Sequence, residues 1–89
     1  MISREIKIIN KLGLHARAAA KLVSLASTFD ADVRVAKDGK AVNGKSIMGV
    51  MMLAASQNSN ITITTDGDDE QAAMDQLEAL VADRFGEES

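Results

Sequence analysis

Val33-Arg34-Val35-Ala36-Lys37-Asp38-Gly39-Lys40-Ala41-Val42 is the stretch whose reading decides the architecture. Val33 and Val35 alternate with polar neighbours, the period of a half-buried strand. Asp38-Gly39 favours positive φ at both positions of a two-residue hairpin turn, so the chain doubles back into a short strand around Val42. Downstream, Ser46 can cap a helix over 47–55. Asn58 to Asn60 reads as a turn, and Ile61, Ile63 and Thr65 alternate as a further strand. The acids from Asp66 to Glu70 suit the start of a last helix, along which Leu77, Leu80, Val81 and Phe85 recur at helical spacing. Upstream, 2–9 place Ile2, Ile6 and Ile8 on one face of a strand, and Asn10 to His15 is a loop. An alanine-rich helix follows over 16–28, with Ala16, Ala19, Ala20, Val23 and Ala26 along one stripe. The order β-α-β-β-α-β-α around a hairpin predicts an α+β domain with a mostly antiparallel sheet.

The 89 residues suffice for one domain, 1–89, with one modest core. A hydrophobic fraction of 46% with 26% charged residues fits a globular chain rather than a disordered one. Cysteine is absent, which excludes disulfides, thiolate chemistry and sulfur-ligated zinc. With Phe29 and Phe85 as the only aromatics, a base-stacking platform has no material. The longest apolar stretch, 47–55, is interrupted by Gly49 and is too short for a bilayer span, and no leader pattern precedes it. A cytoplasmic protein that does not associate with membranes is expected.

Charge is unevenly distributed. Residues 1–45 carry nine Lys/Arg against four acids (+5), whereas 46–89 carry Arg84 against nine acids (−8), together the net −3. This asymmetry suggests a basic working surface and an acidic solvated one. Ten scattered cations on an acidic chain lack the dense basic stripe that nucleic acid requires. Asp66, Asp68, Asp69 and Glu70 miss the spacing of a calcium loop, so no metal site and no cofactor are expected.

The sole histidine, His15, stands where a helix beginning at Ala16 wants a capping residue. The unpaired N–H groups of a helix start attract anions. Arg17 adds a planar cationic fork suited to phosphate, and Lys21 lies one turn on. The positive helix end disfavours imidazolium and leaves a neutral ring able to act as a nucleophile. A surface histidine that merely begins a helix is the plainer alternative from position alone.

Gly13-Leu14-His15-Ala16-Arg17, followed by Ala-Ala-Ala-Lys-Leu-Val, resembles the active-site signature of the HPr family, phosphocarriers of the bacterial phosphoenolpyruvate-dependent phosphotransferase system. Gly44-Lys45-Ser46-Ile47-Met48-Gly49-Val50-Met51-Met52-Leu53-Ala54 is similar to that family's regulatory-serine segment. The resemblance implies an open-faced β-sandwich, a four-stranded antiparallel sheet covered on one side by three helices. It implies that His15 is phosphorylated on Nδ1, that Arg17 stabilises the phosphate, and that Ser46 is the target of an HPr kinase/phosphorylase in some bacteria. It places Ala18, Lys21, Lys45, Ile47, Met48 and Met51 on the surface that docks enzyme I and the EIIA-type acceptor proteins. A relay protein that docks several partners through one patch is most simply a monomer. The chain departs from the family at Ala18, where proline is usual; alanine keeps the helix and retains one more N–H.

Ile47, Met48 and Met51 are expected to be mostly exposed, and Val50 and Leu53 to be core. Met48, Met51 and Met52 would otherwise be core methionines, and Ser46 would otherwise be a helix cap only. Gly39-Lys40-Ala41-Val42-Asn43-Gly44-Lys45-Ser46 also satisfies the nucleotide P-loop pattern G-x-x-x-x-G-K-[ST]. The hairpin reading competes with it for the same residues. The remaining alternative is a docking or regulatory domain of the same fold whose histidine carries no phosphate.

Overall fold

The computed structural model describes residues 1–89. Strand β1 (Ile2–Lys7) leads to helix α1 (Ala16–Ala26), the hairpin β2 (Asp32–Lys37) and β3 (Lys40–Asn43), helix α2 (Ile47–Met52), strand β4 (Asn60–Asp66) and helix α3 (Glu70–Ala82). A single tight turn, Arg84–Gly86, follows. The sheet order is β1-β4-β2-β3, antiparallel throughout. This is the antiparallel α+β class that the element order predicts, in the open-faced form that the resemblance implies.

The hairpin forms as the sequence predicts. Asp38 (φ 52°) and Gly39 (φ 81°) are both left-handed, as a type I′ turn requires, and Lys37 pairs with Lys40, Val35 with Val42. The same geometry overturns the P-loop alternative. Lys40 to Asn43 are strand, the Gly44 N–H donates to the Val33 carbonyl at 2.7 Å, and the Lys45 N–H donates to Asn43 Oδ1 at 2.9 Å. Amides that must cradle phosphates are therefore spent on the fold, and no parallel strand supports them.

One sheet face is buried under the helices. Ile6, Val33, Val35, Ile61 and Ile63 alternate with exposed or half-buried residues and join Leu22, Val23, Val50, Met74, Leu77, Val81 and Phe85 in one core. Three boundaries differ from expectation, and one side chain has another partner; α1 ends at Ala26, short of residue 28. The first strand ends at Lys7, although buried Ile8 continues the pairing through bonds with Ser59 and Asn58. Helix α2 stops at Met52 because Ala54 turns left-handed (φ 50°) and donates back to the Met51 carbonyl, an αL helix end. Asp69 makes no cap bond to α3; its carboxylate accepts from the Asp30 and Ala31 N–H groups, both at 2.8 Å. Those bonds hold it below the usual carboxylate range.

The buried stripe of α1 is also rotated from the expected one. Ala18, Ala19, Leu22, Val23 and Ala26 face the core, while Ala16 is exposed and Ala20 half-buried. Four alanines in five positions give little contrast, and Leu22 decides the phase by being the large side chain to bury. No helix is long and apolar enough to cross a membrane.

Candidate functional site

The loop from Asn10 to Leu14 places His15 against the body of the domain. Gly13 (φ 67°) packs so closely that a Cβ would lie 2.4 Å from the Ala55 carbonyl oxygen, and the next N–H, of Leu14, donates to that oxygen at 2.8 Å. Only glycine satisfies both demands. His15 then occupies the N-cap of α1 in extended conformation (φ −73°, ψ 178°), and its ring makes no cap bond. Its carbonyl accepts the first helical bond, from the Ala19 N–H at 2.9 Å. The preceding N–H groups point out of the helix end, where an anion finds both donors and dipole.

Arg17 is exposed, and its guanidinium is committed to no protein partner. It lines, with His15, Leu12, Glu87, Glu88 and Ser89, a shallow pocket of about 330 Å³. An anion brought to this end of α1 would meet the helix terminus and an uncommitted Arg together.

Two residues of this site were not singled out by sequence. Glu87 Oε2 is hydrogen-bonded to His15 Nε2, and Glu87 Oε1 accepts from Asn10 Nδ2 at 2.9 Å. The bond from His15, then that from Asn10, hold the Glu87 carboxyl below its ordinary value, so it is ionised throughout the neutral range. Asn10 is completely buried and also donates to the Gly13 carbonyl at 2.9 Å, which pins the loop. The tail reaches His15 through a left-handed turn at Arg84 (φ 56°), Phe85 (φ 54°) and Gly86 (φ 78°). Phe85 is fully buried, and Lys21 Nζ donates to its carbonyl at 2.6 Å.

Beyond the loop, Ser46 caps α2, its Oγ accepting from the Gly49 N–H at 3.1 Å. Ile47, Met48 and Met51 are exposed, Met48 by 72%, while Val50 and Leu53 are buried. Met52 and Leu12 extend the exposed apolar surface. Ala18 requires correction: its side chain is fully buried on the core face of α1, so it cannot touch a partner. Lys21 and Lys45 are tied to backbone carbonyls, of Phe85 and of Phe29 (2.8 Å) respectively, which leaves Arg17 as the free cation beside the histidine.

The family model for the PTS HPr component phosphorylation site matches residues 2–83. The chain belongs to the HPr family. It is 60% identical over 87 residues to the phosphocarrier protein HPr of Cupriavidus necator, covering 98% of each chain. The HPr of Neisseria meningitidis (serogroup B) is 53% identical over the same length, again with 98% of each chain covered. The crystal structure of an HPr from Thermoanaerobacter tengcongensis superposes with a TM-score of 0.96 at 47% identity, over 100% of both chains. The same HPr, solved as a dimer, matches at TM-score 0.79. An HPr-family chain with this sheet and these helices is a phosphocarrier of the phosphotransferase system.

Proposed function

We propose that His15 accepts a phosphoryl group on Nδ1 from phosphorylated enzyme I and passes it to EIIA-type acceptor proteins in the cytoplasm. The observation that carries this reading is the combination at one helix start: a half-exposed imidazole at the N-cap, with outward N–H groups and the uncommitted guanidinium of Arg17 beside it. A carrier must hold phosphate without binding it so strongly that onward transfer stalls. A solvated terminus with one free Arg meets that need better than an enclosed cluster of cations, because water screens each contact. The decisive experiment is incubation with enzyme I and phosphoenolpyruvate, read by intact mass. A single acid-labile phosphate supports the carrier. No phosphate on folded protein with competent enzyme I leaves a docking or regulatory domain.

Arg17→Ala is expected to slow transfer about 10–100-fold, the scale of losing one charge-assisted contact to phosphate (~1.5–3 kcal/mol). Because Arg17 supports no other side chain, its thermal midpoint should match the parent within about 2 °C. A parental transfer rate would remove Arg17 from the phosphate site.

Docking falls to the exposed face of Ile47, Met48 and Met51, which lies next to the His15 loop through the Leu14–Ala55 bond. Unbranched, polarisable methionines adapt to more than one partner. Ser46 sits at the edge of this face, and a phosphate there adds about −1.5 to −2 charges where apolar surface must be desolvated. Ser46→Asp retains a good cap while adding charge, so it should lower enzyme I-dependent transfer several-fold without loss of stability. A transfer rate equal to the parent's would show that this edge is outside the docked surface. The chain works most simply as a monomer, since docking and transfer use one surface.

A further inference from the structure

We infer that Glu87, held in place by Asn10, is a positioning residue for phosphoryl transfer: it takes the Nε2 proton of His15 in a hydrogen bond and thereby leaves Nδ1 as the bare nucleophile. The inference rests on His15 being the phosphorylated residue.

Donor and acceptor types fix the protonation of the ring. Glu87 is an ionised carboxylate and can only accept, so the ring nitrogen facing it, Nε2, must carry hydrogen. In a neutral imidazole the other nitrogen, Nδ1, then has the free lone pair. Asn10 fixes which way the carboxylate points. Its Nδ2 faces two acceptors, Gly13 O and Glu87 Oε1, so the amide nitrogen is assigned by chemistry and not by choice of flip. The cost is visible on the other side of the same amide, where Oδ1 is buried with no partner. A buried acceptor left unsatisfied is unfavourable, and polar groups that carry such a cost concentrate at functional sites.

Delivery of Glu87 is equally built. Two consecutive non-glycine residues in left-handed conformation, Arg84 and Phe85, are followed by Gly86, and the turn is closed by bonds from Gly86 N–H to Asp83 O and from Glu87 N–H to Arg84 O. Such backbone persists only where its surroundings over-determine it. Here burial of Phe85 and the Lys21 bond to its carbonyl do so.

During transfer the Nδ1 lone pair forms the N–P bond while the bond from phosphorus to the donor breaks. The ring keeps its Nε2 proton and gains one positive charge, directly opposite the Glu87 carboxylate. Onward transfer reverses this, the pair returning to Nδ1 as phosphorus leaves. Arg17 and Glu88 share the pocket with this pair, and Lys21 lies toward Glu87 from α1.

Glu87→Gln provides the sharpest test. Asn10 Nδ2 would still demand an acceptor, so the carbonyl of the new amide turns to Asn10 and its NH₂ faces the ring. The ring must then accept at Nε2, which moves the hydrogen to Nδ1 and blocks the nucleophile, the logic seen when the aspartate of a Ser-His-Asp triad becomes asparagine. Long-range ¹H–¹⁵N correlation of the neutral ring, at about pH 8.5, should show the Nε2–H tautomer in the parent and Nδ1–H in Glu87→Gln. Transfer from enzyme I should fall at least about tenfold, the lower bound for loss of a ligand-orienting partner. Glu87→Ala, which imposes no tautomer, should give a mixture and a smaller loss. A parental transfer rate in Glu87→Gln, or an unchanged tautomer, overturns the inference. Failure of the parent itself to take phosphate would instead overturn the carrier reading, and the tautomer comparison would still report on Glu87.

Discussion

His15→Ala is expected to take up no phosphate from enzyme I and phosphoenolpyruvate, while the parent gains one acid-labile phosphate per chain. The expectation is all-or-none because no other side chain in the domain offers a neutral ring nitrogen; His15 is the sole histidine. Ser46 is no substitute, because its hydroxyl caps α2 and has no base beside it to take its proton. The fold should survive the change. The His15 ring is partly exposed and caps nothing, and the bonds that set the loop are those of Gly13, Leu14 and Asn10. Loss of the ring deprives the buried edge of Glu87 of one partner, so a destabilisation of about 1 kcal/mol, a few degrees in midpoint for a domain of this size, is the expected limit. Residual labelling at the parental level would show that the phosphate sits elsewhere.

Phe85→Ala should produce the largest loss of stability, about 3–5 kcal/mol. The ring is the largest fully buried side chain and closes the core where α1, α3 and the final turn meet. Its removal leaves a cavity beneath a turn that already holds two non-glycine residues at positive φ, a conformation costing roughly 1–2 kcal/mol each. Without the ring, only the Lys21 bond to the residue 85 carbonyl and the turn's own backbone bonds are left to hold that backbone. A domain of 89 residues has on the order of 5–10 kcal/mol in total. The thermal midpoint should therefore drop by roughly 15–25 °C. Phe85→Leu retains most of the volume and should lose far less. A Phe85→Ala midpoint within about 5 °C of the parent would show that the turn holds without its anchor.

Much of this architecture was legible in the chain because its signals are local. Asp38-Gly39 specifies a turn whose twist suits a hairpin, and with the element order it favours an antiparallel sheet over a nucleotide-binding βαβ unit sharing the same letters. Ser46 was legible for the same reason, since its cap bond reaches only as far as Gly49, whereas the demand for glycine at 13 comes from Ala55, far along the chain, and was not. The phase of α1 was not legible, because alanine at 16, 18, 19 and 20 fits either face and only packing of Leu22 against the sheet decides. The resemblance, not the periodicity, places Ala18 on the docking surface, and its burial follows from that phase. Asp69 stands at the start of α3 as its sequence position suggests, but its carboxylate serves a loop 38 and 39 residues earlier, a partner that nearness to α3 does not reveal.

Glu87 and Asn10 define the limit of sequence reading here. Neither lies in a motif, and their bond spans 77 residues. The available hints were weak: an amide side chain ahead of a loop glycine, and Gly86-Glu87 just past the last apolar position of the final helix. Each has an ordinary local explanation, a turn residue or a solvated tail. Only the fold brings the two together against His15.

The order β1-β4-β2-β3 has a kinetic corollary. Strand β1 has one neighbour, β4, and Ile2 pairs with Thr65 while His15 meets Glu87 across 72 residues. Closing such long loops is entropically slow compared with forming the Asp38-Gly39 hairpin. During refolding, helical and hairpin signals should therefore appear before β1 is secured, and the oriented imidazole should come with the last closure. Backbone order and chemical competence are then acquired at different times, and a molecule that already looks folded by its helices is not yet able to carry its cargo.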